Sequence, residues 1–246
     1  ELLPIYGKPG LEYILDECLD AGIKEIIFVI SKRKKIIKKY FYNDIFFKRI
    51  IKKKKNDSKL RLEYQKIKKF KKMIKFVYQN TPRGTGDAIL KCRKYIKSKH
   101  FLMLLPDDLI IKRNCSLDML KLNKKFNSSV IASMKVKSRD VTRWGILRRE
   151  KFIKNNFLIK DIVEKPSIKS APSNYAVIGR YILPKKIFKI LKKQKPGKNG
   201  EIHITDSIRT LILQKNKFIG HIFAGKYLDC GSMKGYINST LAISKL

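Results

Sequence analysis

Eight consecutive residues, 101–108, read FLMLLPDD and decide the fold more clearly than any other stretch. The five apolar residues are typical of a strand that is buried on both faces. Pro106 ends the run, and two acids, Asp107 and Asp108, follow it. Ligands of open α/β sheets bind beyond the carboxyl ends of the strands, so an acid here could hold a hard cation such as Mg²⁺. Taken alone, the motif is explained equally well by an Asp in an ordinary turn or at a helix N-cap.

The regions on both sides of this motif alternate between helix and strand. Upstream, apolar residues at helical spacing run from Leu11 to Leu19, and an Ile/Val-rich strand is predicted at 25–30. This order predicts an α/β fold with a parallel sheet. Further strands are predicted at 74–78, 129–136, 145–148, 158–163, 175–183 and 218–223, and further helices at 87–97, 185–192, 205–214 and from Met233.

The domain organisation follows from the absence of breaks in this pattern. The sequence has no internal repeat and no Pro/Ser-rich linker, so residues 1–246 are predicted to form a single domain. Residues 32–72 are helical in pattern but dominated by Lys. We expect them to form a solvent-facing excursion from that domain.

The formal net charge of +38 has two explanations. Taken alone it favours a polyanion partner such as a nucleic acid or an anionic membrane. Only 12 of the 58 basic residues are Arg, however, and the Lys residues are spread along the chain together with Ile, Asn, Phe and Tyr. Since all of these have A/T-rich codons, genome composition is the simpler explanation. A functional polyanion surface would be densest from Lys52 to Lys72.

The four cysteines indicate a reduced, cytoplasmic setting. They lie far apart without CxxC spacing, which argues against a disulfide scaffold or a zinc site. Cys18 and Cys92 fall on the apolar faces of predicted helices and are expected in the core. No stretch reaches the roughly 20 apolar residues of a membrane span, and no signal peptide is recognisable.

Further turns carry residues that suit a nucleotide, a sugar phosphate and a metal. In QNTPRGTGDA (79–88), backbone N–H groups could contact a nucleotide, and the Gln79 amide could contact a base edge. An ordinary Gly-rich loop explains this stretch equally well. In VEKP (163–166), a carboxylate suits sugar hydroxyls and an ammonium suits a phosphate; the alternative is a surface Glu–Lys pair. YLDCG (227–231) ends a strand in Asp229, a second candidate metal ligand.

The order of these motifs resembles that of the bacterial UTP–glucose-1-phosphate uridylyltransferases. APSNYAVIGRYIL (171–183) is the most specific stretch. Thymidylyl enzymes share its PSNYAV part, whereas the Arg180-Tyr181 continuation is closer to the uridylyl family. The other matching stretches are ELLPIYGKP (1–9), GTGDA (84–88), LLPDD (104–108), VEKP (163–166), GEIHITDSI (200–208) and YLDCGSMKGY (227–236).

The resemblance implies a fold, a reaction and roles for individual residues. The fold is the Rossmann-like, three-layer nucleotide-diphospho-sugar transferase fold with a mixed, mostly parallel central sheet. The substrates are UTP and glucose-1-phosphate, and the protein is a homo-oligomer without a specific nucleic acid partner. Asp107 would hold Mg²⁺ with help from Asp229, and Asp107 and Lys165 would be the catalytic residues. Glu164, Lys165 and Gly179 would bind the sugar phosphate. The implied nucleotide-binding residues are Glu1, Gln79, Gly84 and Asp108.

Two departures from the family pattern are expected to matter. A GxGTRxxP loop, a Pro-Lys pair and the first strand of the sheet would stand before Glu1, so the chain is expected to be N-terminally truncated and to lack part of the nucleotide site. Asp87 stands where the uridylyl family usually has His. The alternatives are thymidylyl or another sugar-1-phosphate nucleotidylyl transfer and, from a different class, a non-catalytic basic protein that binds polyanions.

Overall fold

A computed structural model describes residues 1–54, 57–197 and 200–246, without the side chains of Phe46 and Phe47. The chain divides into two compact units. The first unit comprises Glu1–Gly22 and Arg83–Leu246, and the second comprises Ile23–Pro82. That the whole chain forms a single domain stays a prediction.

The helices and strands follow one another closely along both units. The strands are β1 (Pro4–Ile5), β2 (Lys8–Pro9), β3 (Ile26–Ile30), β4 (Ile74–Tyr78), β5 (His100–Leu104), β6 (Asp108–Ile111), β7 (Ser129–Lys135), β8 (Gly145–Ile153), β9 (Asn156–Glu164), β10 (Tyr175–Pro184), β11 (Phe218–Ile222) and β12 (Lys226–Asp229). The α-helices are α1 (Gly10–Asp20), α2 (Lys35–Tyr42), α3 (Ile45–Lys53), α4 (Ser58–Met73), α5 (Thr85–Lys91), α6 (Cys115–Phe126), α7 (Ile187–Leu191), α8 (Ile204–Leu213) and α9 (Met233–Ile243).

The first unit is built on a six-stranded sheet of order β5-β10-β7-β11-β9-β8, in which β8 also pairs with β10. The sheet is mixed, as predicted, but the prediction that it is mostly parallel is wrong. Only β7 and β11 pair in parallel, and the other pairs of this sheet are antiparallel. For β8 and β9 the reason is local, because they form a hairpin closed by two residues, of which Lys154 has a φ of 54°. In contrast, β10 pairs antiparallel with β5 and β7, which lie in distant parts of the chain.

Helices cover both faces of this sheet. The face that carries Ile131 and Tyr181 packs against α5, α7 and α8 in one apolar cluster. The opposite face, with Val130 and Ile182, packs against Met119 of α6 in another. The layers are therefore helix, sheet and helix, which confirms the predicted three-layer architecture. Cys18 and Cys92 are buried, as predicted from their helical faces.

A smaller antiparallel pair, β6 with β12, extends the first unit beyond the end of β5. Its apolar side joins α1, α9 and the short β1–β2 hairpin in a further cluster around Ile14 and Leu109. The sequence analysis did not predict β6 or α6, because it placed no helix or strand at residues 109–128. Helix α6 begins at a recognisable signal, because the Asn114 side chain accepts a hydrogen bond of 2.8 Å from the N–H of Leu117.

The second unit pairs β3 with β4 in parallel and adds α2, α3 and α4. The prediction that residues 32–72 are helical is confirmed for most of the described residues, with short non-helical breaks at 43–44 and at 54 and 57. Lys55 and Asn56 lie outside the described residues. The edge-to-face contact of Phe28 with Phe41 packs α2 on β3, and that of Phe28 with Phe76 joins β3 to β4. Across the described ranges, no helix combines the length and apolarity needed to cross a membrane.

Candidate active site

The turn between β5 and β6, which carries Asp107, is held from beneath by Arg180 of β10. The Arg180 side chain is fully buried. Its Nη1 donates to the carbonyl oxygens of Leu105 at 3.2 Å and Gly179 at 3.0 Å, and its Nη2 donates to that of Asp108 at 2.8 Å. One guanidinium therefore fixes the main chain on both sides of Asp107.

The charge of Arg180 is balanced by Glu17 of α1. Arg180 Nε lies 3.1 and 3.0 Å from the two carboxylate oxygens of Glu17, and Nη2 lies 2.8 Å from Oε2. Glu17 Oε1 also accepts from the N–H and hydroxyl of Ser116, at 3.1 and 2.5 Å. Burial alone lowers the pKa of Arg180, but the charge and hydrogen bonds of Glu17 raise it, and the net direction is upward. The network ties α1, α6 and β10 to the turn.

Gly179 lies where β10 passes directly under that turn. A Cβ at this position would stand 2.5 Å from Leu105 Cβ and 2.6 Å from Asp108 Oδ2, so a side chain does not fit. The Gly179 N–H donates to Asp108 Oδ2 at 2.8 Å, and its carbonyl accepts from the N–H of Leu105 at 2.8 Å. Both main-chain groups of Gly179 are therefore hydrogen-bonded to the turn. Its contact with a sugar stays a prediction.

Asp108 is largely engaged within the protein. Its Oδ2 accepts from Gly179, and its Oδ1 accepts from the Tyr227 hydroxyl of β12 at 2.5 Å. Burial raises the pKa of the Asp108 carboxyl, and Asp107 adds to the rise, against the lowering effects of Tyr227, Gly179 and Arg180. Its direct contact with a nucleotide also stays a prediction, and the geometry indicates a positioning role.

The structure brings Asp107 and Asp229 to the same point. The N–H of Cys230 donates to the Asp107 carbonyl at 2.7 Å, which joins the end of β12 to the turn. A Cβ placed on Gly231 would lie 3.0 Å from Asp107 Oδ2 and 3.3 Å from Asp229 Oδ1. Across the residues with described positions, no cluster of three or more His, Cys, Asp or Glu side chains forms a closed metal site. Two adjacent carboxylates nevertheless fit Mg²⁺, which usually takes one or two protein carboxylates and completes its shell with waters and substrate phosphates.

Arg143 contacts one of these two acids. Its Nη2 lies 3.1 Å from Asp229 Oδ2, and its guanidinium lies 4.5 Å from the centre of the Trp144 ring. The carbonyl of Trp144 accepts from the N–H of Lys165 at 3.1 Å. Two consecutive residues therefore connect the candidate metal ligand with the candidate phosphate-binding lysine. Lys165 is exposed and has a left-handed backbone, with a φ of 40°.

Glu164, the last residue of β9, lies in the same region of the first unit. It pairs with Gly145 across the β8–β9 hairpin, and a Cβ on Gly145 would stand 3.2 Å from Glu164 Oε2. Several acidic side chains affect the pKa of the buried Tyr181 hydroxyl. Burial raises the pKa of its hydroxyl, and the charges of Glu164, Asp108 and Asp107 raise it further. The three carboxylates therefore act electrostatically on one hydroxyl group.

Glu1 and Asp107 border one small pocket of about 220 Å³. Its wall is completed by Pro106, Cys230 and Tyr236 together with apolar residues near the start of the chain. The Tyr236 hydroxyl donates to the carbonyl of Pro4 at 2.6 Å, which fastens α9 to this segment. The predicted nucleotide residue Glu1 and the predicted metal ligand are thus brought together.

Gly84 is the residue just before α5, in the GTGDA turn, and it is fixed by the GEIHITD stretch. Its φ is 92°, and a Cβ would stand 2.7 Å from the Ile202 carbonyl oxygen, so only glycine fits without strain. The N–H of Ile202 donates to the Arg83 carbonyl, and the N–H of Gly86 donates to the Ile202 carbonyl, both at 2.8 Å. The two motifs therefore form one hydrogen-bonded element of the first unit.

Gln79 belongs to the second unit, directly after β4. Its N–H donates to the Ile30 carbonyl at 3.0 Å, which continues the pairing of β3 with β4. Its predicted contact with a base stays a prediction.

Sequence reasoning missed Arg180, Glu17, Arg143 and Tyr227 as parts of the site. Arg180 carries a usable signal, because it interrupts the apolar stretch that forms β10 and a buried charge requires a partner. Glu17 lies among apolar residues of α1, which is a weaker signal of the same kind. Nothing in the sequence pairs these two residues.

Known proteins resemble the chain over nearly its whole length. The sequence model of the nucleotidyl transferase family matches residues 1–245. UTP–glucose-1-phosphate uridylyltransferase from Pseudomonas aeruginosa is 35% identical over 248 residues, which cover 98% of this chain and 86% of that protein. A solved UDP-glucose pyrophosphorylase complexed with UDP-glucose superposes with a TM-score of 0.85 at 36% identity, covering 100% of this chain and 90% of the other. A UTP-bound UGPase from Acinetobacter baumannii gives a TM-score of 0.86 at 28% identity, with 99% and 85% covered.

Proposed function

Because the chain belongs to the nucleotidyl transferase family, we propose that it transfers UMP from UTP to glucose-1-phosphate, giving UDP-glucose and pyrophosphate. The support comes from relatives that carry this name at about a third identity and from a solved neighbour that holds UDP-glucose. Thymidylyl and other sugar-1-phosphate nucleotidylyl transfers remain the second candidate, because the PSNYAV stretch is common to both groups.

The proposed reaction requires that the two substrates are positioned and that their phosphate charges are neutralised. The second pKa of a phosphate monoester lies near about 6, so the sugar phosphate is a nucleophile at neutral pH without a general base. One of its oxygens forms a bond to the α-phosphorus of UTP, and the bond from that phosphorus to the β-phosphate oxygen breaks. The electron pair leaves with pyrophosphate. Two anions that repel one another must be held in line for this step.

The observation that carries the proposal is the meeting of Asp107 and Asp229 at Gly231, beside the pocket that Glu1 also borders. These two carboxylates would hold Mg²⁺. When bound, the ion would neutralise phosphate charge as it develops during the transfer. Arg180 and Glu17 contribute by fixing the turn, so that the two carboxylates keep their spacing.

The remaining predicted site residues divide between the two substrates. Lys165 would neutralise the sugar phosphate, Glu164 would accept hydrogen bonds from sugar hydroxyls, and Gly179 would border the glucose. Glu1, Gln79, Gly84 and Asp108 would lie around the nucleotide. The proposal includes a cytoplasmic setting, where thiols stay reduced, and a homo-oligomer, as the resemblance implies.

The test is pyrophosphate release by the purified protein, produced with any residues that its gene encodes before Glu1, in the presence of Mg²⁺ and glucose-1-phosphate, with UTP, dTTP, CTP and GTP compared in parallel. Turnover with UTP well above the other three is the expected result. Preference for dTTP would move the activity to the second candidate and keep the fold and the metal pair. A folded protein without turnover with any of the four nucleotides would count against nucleotidylyl transfer altogether.

A further inference from the structure

The Arg143 side chain holds one of the two candidate metal ligands. Arg143 ends the short 3₁₀ helix Ser138–Arg143, and its Nη2 lies 3.1 Å from Asp229 Oδ2. The other oxygen of that carboxylate, Oδ1, accepts a hydrogen bond of 2.9 Å from the N–H of Gly231. Arg143 therefore occupies the oxygen that is not used within the loop, so the guanidinium and a divalent ion compete for the same atom.

The ion pair of Arg143 with Asp229 is weak enough to be exchanged. The Arg143 side chain is 56% exposed and that of Asp229 is 29% exposed, so water screens their attraction. A divalent ion has twice the charge of a guanidinium and would also be held by Asp107, which is exposed beside Asp229. The guanidinium therefore leaves Asp229 when such an ion binds, and its charge becomes available to another anion.

The main chain beside Arg143 is fixed, so the released guanidinium stays in the site. Val141 of the same 3₁₀ helix is buried with Ile146 and Ala176, and Trp144 packs against this cluster. The guanidinium lies 4.5 Å from the centre of the Trp144 ring, and the face of an indole attracts a cation. The ring therefore supports the Arg143 side chain while its charged end changes partner.

The candidate phosphate-binding lysine is joined to the same residue. The N–H of Lys165 donates to the Trp144 carbonyl at 3.1 Å, so the residue directly after Arg143 contacts the main chain of Lys165. A sugar phosphate carries a charge of about −1.5 to −2 at neutral pH, which is more than one ammonium neutralises. The planar fork of an Arg matches two oxygens of one phosphate, so Arg143 has the chemistry of the cation that is still needed.

We propose that Arg143 is a second ligand of the sugar phosphate, beside Lys165, and that it exchanges to this phosphate from Asp229 when that carboxylate binds the ion. The inference rests on the proposed transfer of UMP and adds a substrate-binding residue to it. Before the exchange, Arg143 neutralises the Asp229 carboxylate. After it, the same guanidinium donates hydrogen bonds to the sugar phosphate, so neither anion is left without a cation at any stage.

Equilibrium binding of the product tests this exchange without turnover. Arg143→Gln removes the charge, and Arg143→Lys keeps the charge without the planar fork. The matched control is Arg139→Gln, which changes another exposed arginine of the same 3₁₀ helix. Isothermal titration calorimetry with saturating Mn²⁺ measures the affinity for UDP-glucose and for UMP, which lacks the glucosyl phosphate. The protein is prepared as for the pyrophosphate assay.

The two ligands should respond differently to the loss of Arg143. We expect Arg143→Gln to bind UDP-glucose about tenfold more weakly than the native protein and UMP within about twofold, because only the hydrogen bonds to the glucosyl phosphate are lost. Arg143→Lys should lose less affinity for UDP-glucose, and Arg139→Gln should match the native protein. Arg143→Gln should also bind Mn²⁺ alone more tightly, whereas a general distortion of the site would weaken the binding of both the ion and UDP-glucose.

Two results would overturn the proposal and leave the transfer of UMP standing. One is native affinity of Arg143→Gln for UDP-glucose, which would show that the guanidinium does not contact the sugar phosphate. The other is an equal loss of affinity for UMP, which would assign the guanidinium to the phosphate of the nucleotide. A native protein that does not bind UDP-glucose at all would count against the transfer itself, and the role of Arg143 would fall with it.

Discussion

Arg180 and Glu17 are 163 residues apart in the sequence and form a buried ion pair in the first unit, with Arg180 Nη2 2.8 Å from Glu17 Oε2. Arg180 donates hydrogen bonds to carbonyl groups of the turn that carries Asp107, and Glu17 accepts one from the hydroxyl of Ser116. The site is therefore organised from beneath by two residues that do not themselves reach into the pocket of Glu1 and Asp107.

Removal of one partner of this pair should be severely destabilising. We expect Glu17→Gln to lower the free energy of unfolding by about 3–5 kcal/mol, because it leaves a buried guanidinium without its counter-charge. Urea unfolding monitored by circular dichroism measures the change. The matched control is Asp161→Asn, which breaks the exposed pair with Arg209 and should cost at most about 1 kcal/mol. Similar losses in the two variants would contradict the importance of burial.

Lys165 should be needed for the reaction and dispensable for the fold. We expect Lys165→Ala to lower kcat/KM with glucose-1-phosphate by at least about 100-fold, because it removes a cation from the attacking phosphate. Lys160→Ala changes an exposed lysine of β9, the strand that ends just before Lys165, and should leave the kinetics unchanged. Pyrophosphate release measures both variants. Near-normal turnover by Lys165→Ala, with the fold intact, would remove Lys165 from the proposed mechanism.

Arg143 should compete with a metal ion for Asp229. The ion pair is partly exposed, so it is worth no more than about 1 kcal/mol. We therefore expect Arg143→Gln to tighten binding of Mn²⁺, used in place of Mg²⁺, by about two- to fivefold in the absence of nucleotide. Electron paramagnetic resonance of the free ion measures the affinity. Arg148→Gln, which changes an exposed arginine of β8, is the control, and unchanged or weaker binding by Arg143→Gln would refute the competition.

The stability of the protein should fall as the pH falls below 6.5, in part because of His221. Burial lowers the pKa of His221 from 6.5, and Arg113 lowers it further against the opposite effect of Asp118. Its Nδ1 lies 2.7 Å from Asn156 Oδ1, and its buried Nε2 has no hydrogen-bond partner among the described residues. The folded state therefore prefers the neutral ring, whereas the unfolded chain takes up a proton near pH 6.5. The contribution is complete above that pH and is lost progressively below it.

The variant His221→Asn isolates this effect. Its free energy of unfolding should depend on pH less steeply below 6.5, by at most about 1.4 kcal/mol per pH unit for one proton. Urea midpoints at several pH values measure the slope. His100, whose pKa is also lowered by burial, should account for part of the slope that remains. An unchanged slope in His221→Asn would show that this ring is protonated to the same extent in the folded and unfolded states.

Local patterns predicted most of the elements and the polar ends of the strands. Strand β4 has the predicted bounds, and β7 and β11 each end one residue earlier than predicted. The apolar run at 101–105 marked β5, and the acid after it does lie beside Asp229. These features depend on residues close together in the chain, where periodicity and turn chemistry carry the information.

Relationships between distant residues were not predictable in the same way. Strand direction was predicted wrongly, because this mixed sheet is covered on both faces, so its strands have the continuous apolar runs that are typical of a parallel sheet. The pairing of Arg180 with Glu17 and the contact of Arg143 with Asp229 depend on the assembled first unit.

At Lys165, the backbone conformation favours one residue type for stability, whereas the proposed reaction favours another. A left-handed conformation costs a residue with a Cβ about 1–2 kcal/mol, and glycine is free of that cost. Selection for a stable turn alone would favour glycine here, whereas selection for a cation beside the sugar phosphate would keep lysine. If Lys165 has the proposed role, related chains that no longer catalyse the transfer are expected to carry Gly or Asn at this position. The residue found there would then indicate whether a related chain still catalyses the reaction.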